Sequence, residues 1–333
     1  SPLGDTIFAI PAIRALRKHF LQARIVVLAS PIAAQVLKYN PWQLQVKAAD
    51  EKWDLLRMLT QVRKERFDLA VSLSQRGGFF TRFCATPVWS DFTLTAIKAD
   101  RSVVEMCQDV LRIIGIDSDE RETEFWYRSQ EEHSIELFLR SSAFSGEQPL
   151  VAVHVGGHFF IRKRWALTNF IETIRFLTDS LGLQVVLIGG QEDVEESLII
   201  KSLFPRIISS VGILKLAETA ALLKQCSLFI GNDSGPLHLA AALHIPTIGL
   251  FGPTDPRQFY PYRAPLHRFI YKGLSCSPCY RFGGGIWQYV PRCSKAYCME
   301  AITINELTSV VRELLLLPFF TGEQRGASYA GRT

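Results

Sequence analysis

Long apolar runs are missing from this chain. The greasiest stretch, residues 314–320, is short and broken by Pro318, well below the roughly 18 residues that a membrane span needs. Cysteine is sparse, 7 in 333 residues, and the odd count argues against a disulfide scaffold and for a reducing compartment. No dense Lys/Arg stripe interleaved with aromatics occurs, so nucleic acid is not an expected partner. The G-x-G-x-x-G, G-x-x-x-x-G-K-[ST] and G-x-S-x-G patterns are also lacking, which turns the reading away from dehydrogenases, kinase-like NTPases and serine hydrolases. What is there is globular. A hydrophobic content of 48% excludes a disordered chain, and 22 Gly with 16 Pro exclude a collagen-like one. The net charge of +5 suits an anionic ligand or an acidic membrane surface.

Short β-branched runs alternate with helical patterns, the signature of βα units around a parallel sheet. Strands are expected at 24–29 and 67–73, with helices at 6–20, 53–66 and 101–114. A polar stretch at 141–149 (SSAFSGEQP) reads as a linker. Beyond it, strands are expected at 150–155, 184–188, 228–230 and 246–251, with helices at 168–180, 192–203, 215–225 and 236–244. This gives two α/β domains, 1–145 and 146–318, then a disordered tail at 319–333. Two such halves predict a ligand cleft between them. The chain starts at Ser1 instead of Met, and the loop 1–5 leads directly into a helix. A first strand is therefore expected upstream of Ser1.

Five constellations carry chemistry. In 229–235 (FIGNDSG) a strand runs into a tight turn, and Pro236 stands where a helix begins. The N–H groups of Ser234 and Gly235 at that helix start suit a phosphate, with His238 one turn on; alternatively Asp233 and Ser234 only cap the helix. In 156–165, Gly156 and Gly157 precede Arg162, Lys163 and Arg164, either a diphosphate loop or a solvated basic loop. Glu192 and Glu195, past Gly189 and Gly190, suit ribose hydroxyls or simply complement a helix dipole. Asp5 is a helix N-cap or a general base. Cys276, Cys279, Cys293 and Cys298 have a spacing compatible with structural zinc, with reduced thiols and with disulfides.

Taken together, these segments resemble glycosyltransferase family 9, the ADP-heptose:lipopolysaccharide heptosyltransferases. The resemblance rests on Leu3-Gly4-Asp5 with the helix at 11–17, on Lys163-Arg164-Trp165, and on the cysteine cluster followed by Met299. It is most specific at 229–236 (FIGNDSGP) and 251–256 (FGPTDP). It implies a GT-B fold of two Rossmann-like domains with parallel sheets facing across a cleft, and an inverting mechanism without a required metal or other cofactor. Asp5 then corresponds to the base, and Lys163 to a contact on the donor phosphate. Gly156, Arg164, Ser234, Gly235, Pro236 and His238 correspond to the donor site, with Asp233 beside the sugar and Glu192 or Glu195 on the ribose. The implied donor is an ADP-sugar and the implied acceptor a lipid-linked or oligosaccharide core, handled in the cytoplasm or peripherally at the inner membrane. The alternatives are a GT-B-like sugar-nucleotide epimerase or phosphorylase, and a non-catalytic nucleotide-sugar binding module.

Overall fold

The computed structural model describes residues 3–49, 52–74, 78–95, 101–142, 144–157, 161–262, 265–283, 286–290 and 293–317. The expected tail at 319–333, residues 158–160 of the basic loop and Ala143 of the linker lie outside the described residues. By contact the chain divides into two compact units. One comprises Ser1–Ser129, Thr254–Pro261 and Pro278–Arg292, and the other Gln130–Pro253, Tyr262–Ser277 and Cys293–Thr333.

The first unit opens with α1 (Leu3–His19), β1 (Val26–Ala29), α2 (Pro31–Val36), β2 (Gln45–Ala48) and α3 (Lys52–Glu65). It continues with β3 (Leu69–Val71), α4 (Gly78–Phe83), β4 (Val88–Ser90) and α5 (Val103–Arg112). β1 pairs with β2 and β3 with β4, both parallel. α1 packs on α5, which is held at its start by a capping box between Ser102 and Glu105. One expectation is corrected here. Asp5 lies in the first turn of α1 and not on a loop, because the helix already begins at Leu3. An acid suits that turn, where it complements the helix dipole.

The second unit begins with α6 (Ser129–Ser141), β5 (Leu150–His154) and α7 (Leu167–Arg175), which runs on into a π-helical turn over Phe176–Ser180. Then follow β6 (Gln184–Leu187), α8 (Val194–Leu203), β7 (Ile208–Ser209), α9 (Leu216–Lys224), β8 (Cys226–Asn232), α10 (Gly235–Ala242) and β9 (Thr247–Phe251). After β9 the chain gives α11 (Pro256–Phe259) to the first unit and β10 (His267–Tyr271) to the second. The antiparallel hairpin β11 (Tyr280–Gly283) with β12 (Ile286–Tyr289) belongs to the first, and α12 (Tyr297–Glu300) and α13 (Ile304–Leu315) to the second.

Six strands form one parallel sheet in the order β10-β9-β8-β5-β6-β7. Every residue of β5 and β9 is buried, as expected for strands covered on both faces. The chain winds outward from β5 through β6 and β7, then returns and winds the other way from β8. The order therefore reverses between β5 and β8, and the carboxyl ends of those two strands are where such sheets bind ligands. Among the described residues no helix is long and apolar enough to cross a membrane.

Candidate active site

The loops leaving β5 and β8 are stitched together by Asn232. Its Oδ1 accepts from the Trp165 backbone N–H at 3.0 Å, and its Nδ2 donates to the carbonyls of Val155 and Gly156 at 3.1 and 2.9 Å. Trp165 is sunk in the core, 2% exposed, with Nε1 donating to the Ile302 carbonyl at 3.0 Å and its ring edge-on to Phe170. An anchored Trp at that point fixes where the preceding Lys163 and Arg164 must stand. The run is thus more than a solvated basic loop.

Lys163 Nζ lies 2.8 Å from Asp233 Oδ2, and His238 Nε2 is 3.2 Å from Oδ1 of the same carboxylate. His238 Nδ1 in turn meets the Tyr262 hydroxyl at 3.3 Å. Burial pushes the Asp233 carboxyl up, yet Lys163 and His238 outweigh it and hold the group well below the usual carboxylate range. The acid is therefore ionised and tightly placed at the mouth of α10.

Ser234 occupies the N-cap position of α10 but makes no side-chain cap bond. Its hydroxyl meets His154 Nδ1 at 3.0 Å and the Asn232 carbonyl at 3.0 Å. A simple capping role does not describe it, and the side chain leaves the first-turn N–H groups of α10 uncapped. Gly235 and Pro236 form the first turn itself.

A second ion-pair cluster adjoins the first. Arg164 reaches Glu196 Oε1 at 2.6 Å, Asp193 Oδ1 at 3.5 Å and the Gly157 carbonyl at 3.1 Å. Asp193 also accepts from the Gly190 N–H at 3.2 Å and faces His154 Nε2 at 3.3 Å. Burial raises its pKa, but His154, the Gly190 N–H and Arg164 together lower it below its ordinary value. A Cβ at Gly156 would lie 1.8 Å from Asp193 Oδ1, so a larger residue there would force Asp193 or the loop to shift.

Lys163, Arg164, Gly156, Asp233, Ser234, Gly235, Pro236 and His238 are thus brought to one end of the sheet. His238 meets Asp233 through Nε2 and Tyr262 through Nδ1. Glu192 and Glu195 are exposed, whereas the acid drawn inward from the same segment is Asp193, 1% exposed. Sequence reasoning also passed over His154, which reads as one more residue of a buried strand, and Asn232. Asp5 belongs to the first unit. It is exposed on a helix otherwise buried from Thr6 to Ile13, and its charge raises the pKa of Cys107 after burial has already done so. Among the described residues no group of three or more His, Cys, Asp or Glu is placed to hold a metal ion, the four clustered cysteines included.

A doubly wound parallel sheet with a cationic loop and a helix N-terminus at its crossover defines the class, an α/β protein whose crossover is laid out to receive an anionic ligand. The family model described as glycosyltransferase family 9 (heptosyltransferase) matches residues 79–283, and the chain belongs to that family of glycosyltransferase enzymes. It is 23% identical over 291 residues to lipooligosaccharide heptosyltransferase 2 of Campylobacter jejuni, covering 83% of this chain and 86% of the relative. In structure it is similar to the glycosyl transferase family 9 protein of Veillonella parvula, with a TM-score of 0.77, 20% identity and 95% of each chain covered. It is also similar to ADP-heptose LPS heptosyltransferase II of E. coli, with a TM-score of 0.71, 20% identity, and 95% and 96% covered. The expected α/β fold of GT-B type is borne out, and the family does not favour the epimerase, phosphorylase or binding-module alternatives.

Proposed function

We propose that this enzyme moves a heptose from ADP-heptose to a lipopolysaccharide-core acceptor, with inversion at the anomeric carbon. The observation that carries the reading is the gathering of Lys163, Asp233 and the uncapped start of α10 at the β5/β8 crossover. The named activities of the similar proteins, lipooligosaccharide heptosyltransferase and ADP-heptose LPS heptosyltransferase, support the choice of sugar, nucleotide and acceptor.

In this reading the second unit holds the donor. Lys163 and Arg164 meet the diphosphate, as do the N–H groups of Ser234 and Gly235 ahead of Pro236, while Gly156, lacking a Cβ, lets Asp193 pack against the loop that carries them. Asp233, fixed by His238, faces the sugar, and Glu192 or Glu195 accepts from the ribose. Asp5 takes the proton of the acceptor hydroxyl as its oxygen attacks the anomeric carbon. The bond from that carbon to the diphosphate breaks, and its electron pair leaves on ADP. Preorganised cations and N–H groups that meet this growing charge supply the main stabilisation, so the reaction proceeds without a metal ion. The surplus of basic residues suits work at the acidic cytoplasmic face of the inner membrane, where a lipid-linked acceptor is presented.

The test is turnover of ADP-heptose with a lipid A-type core acceptor, in the presence of EDTA. The expected result is ADP release that depends on the acceptor, with a glycoside of inverted configuration. ADP release independent of acceptor, retained configuration, or loss of activity in EDTA contradicts the corresponding part of the reading.

A further inference from the structure

His154 ends β5 with 3% of its surface exposed, and both ring nitrogens are engaged. Nε2 stands 3.3 Å from Asp193 Oδ2 and Nδ1 stands 3.0 Å from Ser234 Oγ. Asp193, held as an anion, can only accept hydrogen bonds, so Nε2 carries a proton. A neutral ring then has a bare Nδ1, which takes the hydroxyl proton of Ser234. A hydroxyl owns one proton, and Ser234 Oγ also lies 3.0 Å from the Asn232 carbonyl oxygen. With that proton directed at Nδ1, Oγ offers only lone pairs to the space before α10, and lone pairs repel a phosphate oxygen. A ring protonated on both nitrogens donates to Oγ instead, and the hydroxyl proton becomes available to an anion.

We propose that His154 is a positioning residue that takes up one proton when the donor diphosphate binds, and so converts Ser234 from acceptor to donor. The inference rests on the reading of the site given above. The proton comes from solvent and settles on Nδ1, and no other bond is made or broken. The new cation lies between the Asp193 carboxylate and the arriving anion. The charged and titratable groups around it are Asp193, through it Arg164 and Glu196, and on the α10 side Asp233 with Lys163 and His238. His238 is the other ring in the site, but it faces Asp233 and Tyr262.

Calorimetric titration of the full chain with ADP, in buffers of different ionisation enthalpy, counts the protons exchanged. It is done at about pH 8, where a terminal phosphate with a second pKa of about 6 is already ionised. The expected result is net proton uptake on ADP binding, with affinity falling as pH rises further. Ser234→Ala binds ADP more weakly and with uptake near zero. His154→Asn, whose amide donates to Oγ from the place of Nδ1, binds ADP with neither uptake nor pH dependence. Uptake near zero in the native chain, or uptake that survives Ser234→Ala, overturns the proposal and leaves the reading of the site standing. A native chain that binds no ADP overturns that reading itself, and the proposal with it.

Discussion

Lys163 Nζ and Asp233 Oδ2 stand 2.8 Å apart and tie the basic loop after β5 to the turn after β8. The carboxylate side chain is 4% exposed and the ammonium 16%, and His238 meets the same carboxylate from its other oxygen. Removing Lys163 takes away one of the charges that balance a buried anion. Lys163→Ala is therefore expected to lower stability by up to about 3 kcal/mol in urea denaturation. It also removes a charge-assisted contact to the diphosphate, worth about 1.5–3 kcal/mol, so calorimetry should show ADP binding weakened by about 10- to 150-fold. Unchanged ADP affinity removes Lys163 from the donor site.

Asp5 offers the opposite signature. It is exposed in the first turn of α1 and belongs to the first unit. Asp5→Ala should fold and bind ADP like the native chain, while turnover falls by about 10²–10⁴-fold, the usual worth of a general base. Near-native turnover in steady-state assays takes Asp5 out of this role.

Gly156→Ala tests the packing of the two loops. The added methyl would lie 1.8 Å from Asp193 Oδ1, and Asp193 is itself held by His154, Gly190 and Arg164. Something has to shift, at a cost of about 1–3 kcal/mol for overpacking. Thermal melting should show the loss, and ADP affinity should fall with it. A variant with native melting and native affinity contradicts this account of the loop.

Much of the second unit was legible because its strands are buried on both faces and read as continuous apolar runs, as in Leu150–His154 and Thr247–Phe251. β2 was not, since Gln45–Ala48 is a polar, half-exposed strand with no such run. α13 was passed over although its signal is in the sequence: Thr303 and Glu306 form a capping box before an amphipathic stretch. In the site, the glycines, cations and turn residues announce themselves by spacing. The choice of Asp193 over Glu192 and Glu195 does not, because the path of the Gln191–Asp193 turn decides which acid faces inward. His154 likewise acquires its role only from Asp193 and Ser234, 39 and 80 residues away along the chain.

His267, on β10, bonds Thr247 Oγ1 at 2.8 Å, and burial, with repulsion from His244, pushes its pKa down to about 4. The unfolded value is near 6.5, so between these limits the unfolded chain binds more protons than the folded one. The contribution of His267 is complete above that window and is lost as pH falls through it, with a slope of at most about 1.4 kcal/mol per pH unit. His267→Gln keeps a partner for Thr247 and should flatten the pH dependence of urea midpoints across the window. An unaltered slope contradicts the assignment.

The central claim is that the crossover of the six-stranded sheet grips a sugar nucleotide by its two phosphoryl groups. A crystal structure of the chain with ADP tests it most directly. The account predicts phosphate oxygens within hydrogen-bond reach, about 2.7–3.2 Å, of Lys163 Nζ and of the Ser234 and Gly235 backbone N–H groups. A diphosphate bound elsewhere, with those three donors left to water, contradicts it.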